Sequence, residues 1–161
     1  MVNGLDEVDM DVMSKTIADQ GFNCVRLPYS LEQYWFNYQV ADDAVSANPQ
    51  LRGLTVMEVF DRTVLSLTNA GVAVILNNHI SDAMWCCGEW DENGLWYNAR
   101  YSADMWLETV TEMSARYSDN LLVIGNDLRN EIRADRQNNQ FASWGDGGTN
   151  DWKAVATEAG N

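Results

Sequence analysis

Basic residues are scarce in this chain. Ten Lys plus Arg stand against 24 Asp plus Glu in 161 residues, a formal net charge of −14. Nucleic acid requires cations to neutralise its phosphates, so this balance excludes it as a partner. An anionic membrane surface is excluded on the same ground. Long apolar runs are lacking too: none approaches the ~20 residues of a membrane-spanning helix. Histidine occurs once and cysteine three times, at Cys24, Cys86 and Cys87, with no C-x-x-C. Zinc-ligand spacing is therefore absent and no metal site is expected. An odd cysteine count leaves at least one thiol unpaired within the chain. A bridge from Cys24 to Cys86 or Cys87 stays open, as does a buried thiol beside an exposed one. No glycosylation acceptor triplet occurs, and Met1 leads into an acidic stretch rather than a charged-then-apolar leader.

What is present fits a globular chain. Apolar residues make up 46% and charged residues 21%, which excludes wholesale disorder. The length allows one compact domain over 1–161. Seven Trp, six Tyr and four Phe are a heavy aromatic load. Most such rings fill cores, although flat rings also stack on the apolar faces of sugars.

Hydrophobic spacing predicts helices over 5–20, 54–70, 103–117 and 152–159. Leu5, Val8, Val12, Met13 and Ile17 would form the buried stripe of the first. Val56, Val59, Phe60, Val64 and Leu67 would form that of the second, and Trp106, Val110, Met113 and Tyr117 that of the third. Gly21 and Gly71 read as stops, Ser102 and Asp151 as N-caps. Short apolar runs predict strands over 22–27, ended by Pro28, over 72–77, and over 121–128. The last two read as covered on both faces, as in parallel sheets. The stretch from Tyr29 to Arg52 reads as a long loop.

Strands alternating with helices imply right-handed crossovers and a parallel sheet. An open doubly wound sheet and part of a (β/α)8 barrel both satisfy the order. No strand is followed by G-x-G-x-x-G, which disfavours the dinucleotide-binding version. The loops after the strands are long and chemically loaded, which favours the barrel, whose sites lie at the C-terminal strand ends. The fold expected is a partial (β/α)8 TIM barrel, an α/β arrangement of about three parallel strands with flanking helices.

Each strand ends in reactive residues. The first reaches Arg26, the second Asn77, Asn78 and His79, and the third Asp127, Arg129, Asn130 and Glu131. Parallel strands put these ends on one rim, where a carboxylic acid beside His and Arg can do acid–base work. Asp127 reads as a partner for Arg129 or Arg26. The run Asp91 to Gly94 lacks the alternating ligand spacing of a calcium loop and reads as a turn.

Three blocks, Gly21–Ser30, Val74–Trp96 and Val123–Arg133, resemble in order and spacing the strand-end blocks of glycoside hydrolase family 5, cellulase-like retaining β-glycosidases. The resemblance implies roles. Glu131 matches the general acid/base, and Asn130 the residue that hydrogen-bonds the sugar 2-hydroxyl. Arg26 matches an arginine that steadies the catalytic carboxylates, and His79 a histidine lining the same subsite. Ile132 stands where many members have Pro. Retention needs a second carboxylate about 5–5.5 Å from the first, which in this family ends a later strand. The chain is thus expected to be an internal piece, roughly the second to fourth strand units, with the nucleophile outside it.

A β-linked oligo- or polysaccharide is the implied substrate, with no cofactor and an extracellular location. Asn78, Trp85 and Trp96 are candidate substrate contacts; Trp35 and Trp90 read as loop packing, and Trp106 as core. The competing expectation is a carbohydrate-binding or inactive truncated module. Unpaired sheet edges would favour self-association in either case.

Overall fold

The computed structural model describes residues 3–161; the sequence reading at Met1 lies outside them. Three strands form the sheet: β1 (Cys24–Ser30), β2 (Ala73–Ile80) and β3 (Val123–Asp127). All pairs are parallel, in the order β1-β2-β3, so β2 is central. The helices are α1 (Met10–Asp19), α2 (Leu31–Phe36), α3 (Val56–Asn69), α4 (Ala103–Arg116) and α5 (Trp152–Ala159). Parallel strands with helices between them form part of a (β/α)8 barrel, as expected.

The sidedness of the strands follows from their two-residue period. Leu27, Tyr29, Val74 and Leu76 point outward and are buried against α1 and α3, together with Val59, Phe60, Val64 and Leu67. All five residues of the stripe expected on α3 are buried. A second core gathers Leu95, Trp96, Tyr101, Trp106 and Val110, with Trp152 of α5 packed against it. Cys24, Arg26 and Pro28 alternate to the inner face, as do Ile75, Asn77, His79 and Ile124.

Several boundaries differ from those predicted. β1 continues past Pro28 to Ser30, because an edge strand tolerates a residue without an N–H. β2 continues to Ile80, carrying Asn78 and His79 on the strand itself. β3 is short and not covered on both faces: Ile124 is 58% exposed. The α1 stripe is also shifted. Asp9 caps the helix by accepting from the Asp11 and Val12 amides, so it starts late and buries Met10 and Ser14. Val8 and Val12 are exposed. Ser66 of α3 donates to Asp11 Oδ1 at 2.6 Å and its Oγ accepts from the Ser14 hydroxyl at 2.8 Å, a polar seam that fixes this phase.

The segment read as a loop after Tyr29 holds α2, opened by a capping box between Ser30 and Gln33. Ser102 and Asp151 cap α4 and α5 as predicted. Gly21 and Gly71 follow their helices at φ of +86° and +79°, a conformation that glycine adopts without strain.

The long loop after β2 is tied to the segment after β3. Arg133 donates its amide to the Gly94 carbonyl at 2.9 Å. A Cβ on Gly94 would stand 2.8 Å from the carbonyl oxygens of Arg133 and Ala134, so only glycine permits this approach. The Arg133 guanidinium also grips both oxygens of Asp91, at 2.7 and 2.9 Å. Asp91 is thus the organising residue of a turn, as read.

Candidate active site

The strand register brings the reactive ends together. Pro28 lies level with Asn77, and Asn77 with Asp127. From one step below, Arg26 reaches across the inner face. Its Nε donates to Asp127 Oδ2 at 2.6 Å, and its Nη2 donates to Asn130 Oδ1 at 2.9 Å. Nη2 also pairs with Asp127. A guanidinium fork suits this double task. Asn77 Nδ2 donates to the same Asp127 oxygen at 3.1 Å.

Asn77 orients His79. With its amide nitrogen turned to Asp127, its Oδ1 accepts from His79 Nδ1 at 2.8 Å. This leaves His79 Nε2 with the free lone pair. Burial pushes the imidazole below its ordinary pKa, the Arg26 charge adds to this, and the Glu131 carboxylate opposes it. Glu131 thus shares the electrostatic environment of His79 and Arg26. Its side chain is exposed, and its backbone is left-handed at φ +42°. Residues held in such sparsely populated conformations cluster at functional sites.

Asn130 is buried and anchored from two sides. Its amide donates to the Asn78 carbonyl at 2.9 Å, and its Oδ1 is held by Arg26. Behind it, the buried Arg129 donates to Asn78 Oδ1 at 3.1 Å and to the Asn93 carbonyl at 3.0 Å. Burial lowers the pKa of Arg129 to about 9, and the Arg133 charge acts in the same direction.

A cleft of about 380 Å³ opens beside His79, lined by Tyr29, Gln33, Met84, Trp85 and Cys86 among others. Trp85 is 87% exposed and Gln33 is buried, with no protein partner for its Nε2.

Arg26, His79, Asn130 and Glu131 therefore gather on one rim, and Trp85 stands at the cleft. Two candidates fall elsewhere. Trp96 is 1% exposed, with ring centroids 5.3 Å from Trp152 and 6.4 Å from Trp106. It has no free face for a sugar and belongs to the core, as Trp106 does. Asn78 is fully buried on the outer face of β2, where it accepts from Arg129; it is a scaffold residue. Of the smaller alternatives, Asp127 pairs with Arg26 rather than Arg129. Trp35 donates to Thr109 Oγ1 at 3.0 Å, a packing role, while Trp90 is exposed. Cys86 and Cys87 are joined to each other as adjacent residues, and Cys24 is free.

Sequence reasoning missed Asn77 as the residue that orients His79, and Gln33 at the cleft. The Ser30–Gln33 capping-box spacing carries the signal for the second; nothing local marks the first.

Strand-end side chains converging on one rim of parallel β/α units define the site-bearing face of a (β/α)8-barrel scaffold. Comparison with known proteins makes this specific. The family model described as cellulase (glycosyl hydrolase family 5) matches residues 4–161, and the chain belongs to that family. It is 30% identical over 161 residues to an endoglucanase of Paenibacillus polymyxa, covering 99% of this chain and 38% of that one. It is 33% identical over 149 residues to a glycosyl hydrolase 5 family protein of Chamaecyparis obtusa, covering 83% of this chain and 27% of the relative. Among solved structures it is similar to a Pyrococcus horikoshii endocellulase in complex with cellotetraose. That match has a TM-score of 0.84 and 28% identity, and covers 99% of this chain and 43% of the other. The catalytic domain of the major endoglucanase of Xanthomonas campestris pv. campestris gives 0.82 and 28%, covering 97% and 42%. The chain thus spans less than half the length of these relatives.

Proposed function

We propose that this chain is the acid/base-bearing part of a secreted, retaining β-glucan hydrolase, one domain holding roughly the second to fourth strand units of the barrel. The observation that carries the reading is the Arg26 fork. It holds Asp127 and Asn130 at once, which sets Glu131 at the rim beside His79. The family's endoglucanase relatives support a cellulose-like substrate.

In this reading Glu131 is the general acid that gives a proton to the glycosidic oxygen as the bond to the anomeric carbon breaks. A carboxylate from outside these residues attacks that carbon. Water then cleaves the glycosyl-enzyme while Glu131 takes its proton. Asn130 supports the 2-hydroxyl as positive charge develops on the ring. The open flank of Glu131 gives a saccharide access, and Trp85 with Gln33 offers a stacking face and a donor along the cleft. Burial and the Arg26 charge favour neutral His79, which suits a hydrogen-bonding rather than an ionic contact. The extracellular assignment follows relatives such as the major extracellular endoglucanase.

The test is a chimera in which this chain replaces the matching segment of the Paenibacillus endoglucanase, so that both the first strand unit before it and the C-terminal remainder after it are supplied. It should hydrolyse soluble β-glucan, and Glu131→Gln should lower kcat by about 10²–10⁴-fold, the range of general acid–base catalysis. Undiminished turnover in Glu131→Gln would overturn the assignment. Oligosaccharide binding through Trp85 without cleavage in the chimera would instead favour a binding module.

A further inference from the structure

Among the described residues, one group of three side chains of metal-ligating types gathers, and it lies at the cleft. A ring nitrogen of His79 and the Sγ atoms of Cys86 and Cys87 all fall within 4.8 Å of one another. Chain spacing conceals this set, since two adjacent cysteines seven and eight residues after a lone histidine match no zinc pattern. The fold creates it: β2 carries His79, and the following loop returns its cysteines to within 4.8 Å of a ring nitrogen.

We propose that, once the Cys86–Cys87 disulfide is reduced, the cleft binds a thiophilic d10 cation of the Zn²⁺ class through His79 and both thiolates. The donor set is one such ions prefer, whereas Mg²⁺ and Ca²⁺ take oxygen. Reduction frees the two sulfurs, bonded to each other in the structure, to part and face one ion beside His79. Zn–S bonds of about 2.3 Å and Zn–N bonds of about 2.0–2.1 Å place tetrahedral ligands roughly 3.4–3.8 Å apart. The imidazole is also held as metal-binding imidazoles are: Nδ1 donates to Asn77 Oδ1 at 2.8 Å, so Nε2 keeps its lone pair. Two thiolates neutralise a divalent ion, and the fourth position is left to water.

Oxidation state gates the site. A phosphine supplies two electrons and becomes its oxide, water supplies the oxygen and two protons, the sulfur–sulfur bond breaks, and two thiols result. Binding the cation releases those two protons. Reoxidation by an exogenous disulfide, which takes the two electrons and leaves as two thiols, re-forms the sulfur–sulfur bond and expels the ion, because a disulfide sulfur is not a thiolate. The site is also inhibitory in position. Asn130 Nδ2 lies 3.8 and 3.7 Å from the two sulfurs, so a bound ion occupies the floor on which the proposed 2-hydroxyl contact depends. That consequence rests on the hydrolase reading; the binding does not.

Calorimetric titration of the 161-residue chain with Zn²⁺, before and after phosphine reduction, tests the proposal. One ion should bind per reduced chain and none per oxidised chain. Cys86→Ser, Cys87→Ser and His79→Gln should each weaken binding at least about tenfold, while Cys24→Ser should leave it unchanged. Titration of the unsubstituted reduced chain with Cd²⁺ needs no variant: the ultraviolet thiolate-to-metal band should have the intensity of two thiolates. A reduced chain that takes up no ion would overturn the proposal. So would equal binding by the oxidised chain, a one-thiolate band, or loss of binding in Cys24→Ser. Failure of binding leaves the Glu131→Gln test in the chimera unaffected, so the two readings fail separately.

Discussion

Two tryptophans eleven positions apart show what is decided at the scale of a residue. Trp85 and Trp96 lie in the same loop, and the sequence treats them alike. The fold buries Trp96 among Trp106, Trp152 and Tyr97 and leaves Trp85 at the cleft mouth. Trp96→Ala should cost about 3–5 kcal/mol in urea unfolding, as large aromatic deletions in cores do. Trp85→Ala should change stability by no more than about 0.5 kcal/mol, yet weaken cellotetraose binding measured by fluorescence titration. The opposite pattern would exchange their roles. Arg26, His79 and Asn130 are legible as neighbours because parallel strand ends share a rim whatever the loops do. The fates of Trp85, Trp96 and Asn78 are not legible, because they depend on which way a long loop folds and which face of β2 is covered.

At the scale of elements, strong local chemistry is readable and phase is not. The caps Ser102 and Asp151 and the stops Gly21 and Gly71 each follow from one residue's stereochemistry. The α1 stripe fails because Asp9 claims the N-cap and Ser14 and Ser66 form a polar contact that apolar periodicity does not count. The α2 helix escapes notice because it is only six residues long, although its capping box is written in the sequence. Asp151 yields a pH prediction. Its carboxylate accepts from the amides of Gly145 at 2.6 Å, Gly147 at 2.9 Å and Lys153 at 3.1 Å. These bonds hold its pKa below the ordinary value, against the opposing effect of desolvation. The unfolded chain therefore takes up this proton at a higher pH than the fold does. Stability from Asp151 is complete above the unfolded value of about 3.9 and is lost as pH falls through the folded one. Acid titration followed by Trp144 and Trp152 fluorescence should show this loss, and Asp151→Ala should flatten it. Identical acid limbs in both proteins would show that these bonds do not couple the turn to α5.

At the scale of the whole molecule, the sheet is the dominant fact. β1 and β3 are both edges, and at β3 Ile124 is exposed on the inner face, with Leu121 just before the strand 91% exposed. Unpaired edges with apolar side chains invite another chain to add a strand. Acidity opposes this, since a formal charge of −14 repels a second copy. The balance predicts salt-dependent association of the 161-residue chain. At low ionic strength repulsion keeps copies apart, and as the screening length shrinks to about 8 Å at 0.15 M the edges meet. Light scattering should record a mass that rises with salt and with protein concentration. Ile124→Lys should hold the chain closer to monomeric at the same salt, because an ammonium on the inner face must be desolvated for strands to pair. Its effect on stability should stay within about 0.5 kcal/mol, since position 124 is largely exposed. Association that ignores both salt and Ile124→Lys would place the contact elsewhere, with the exposed aromatic residues of the rim as the alternative surface. The chimera should associate less than the chain alone, because further strands would pair with the same edges.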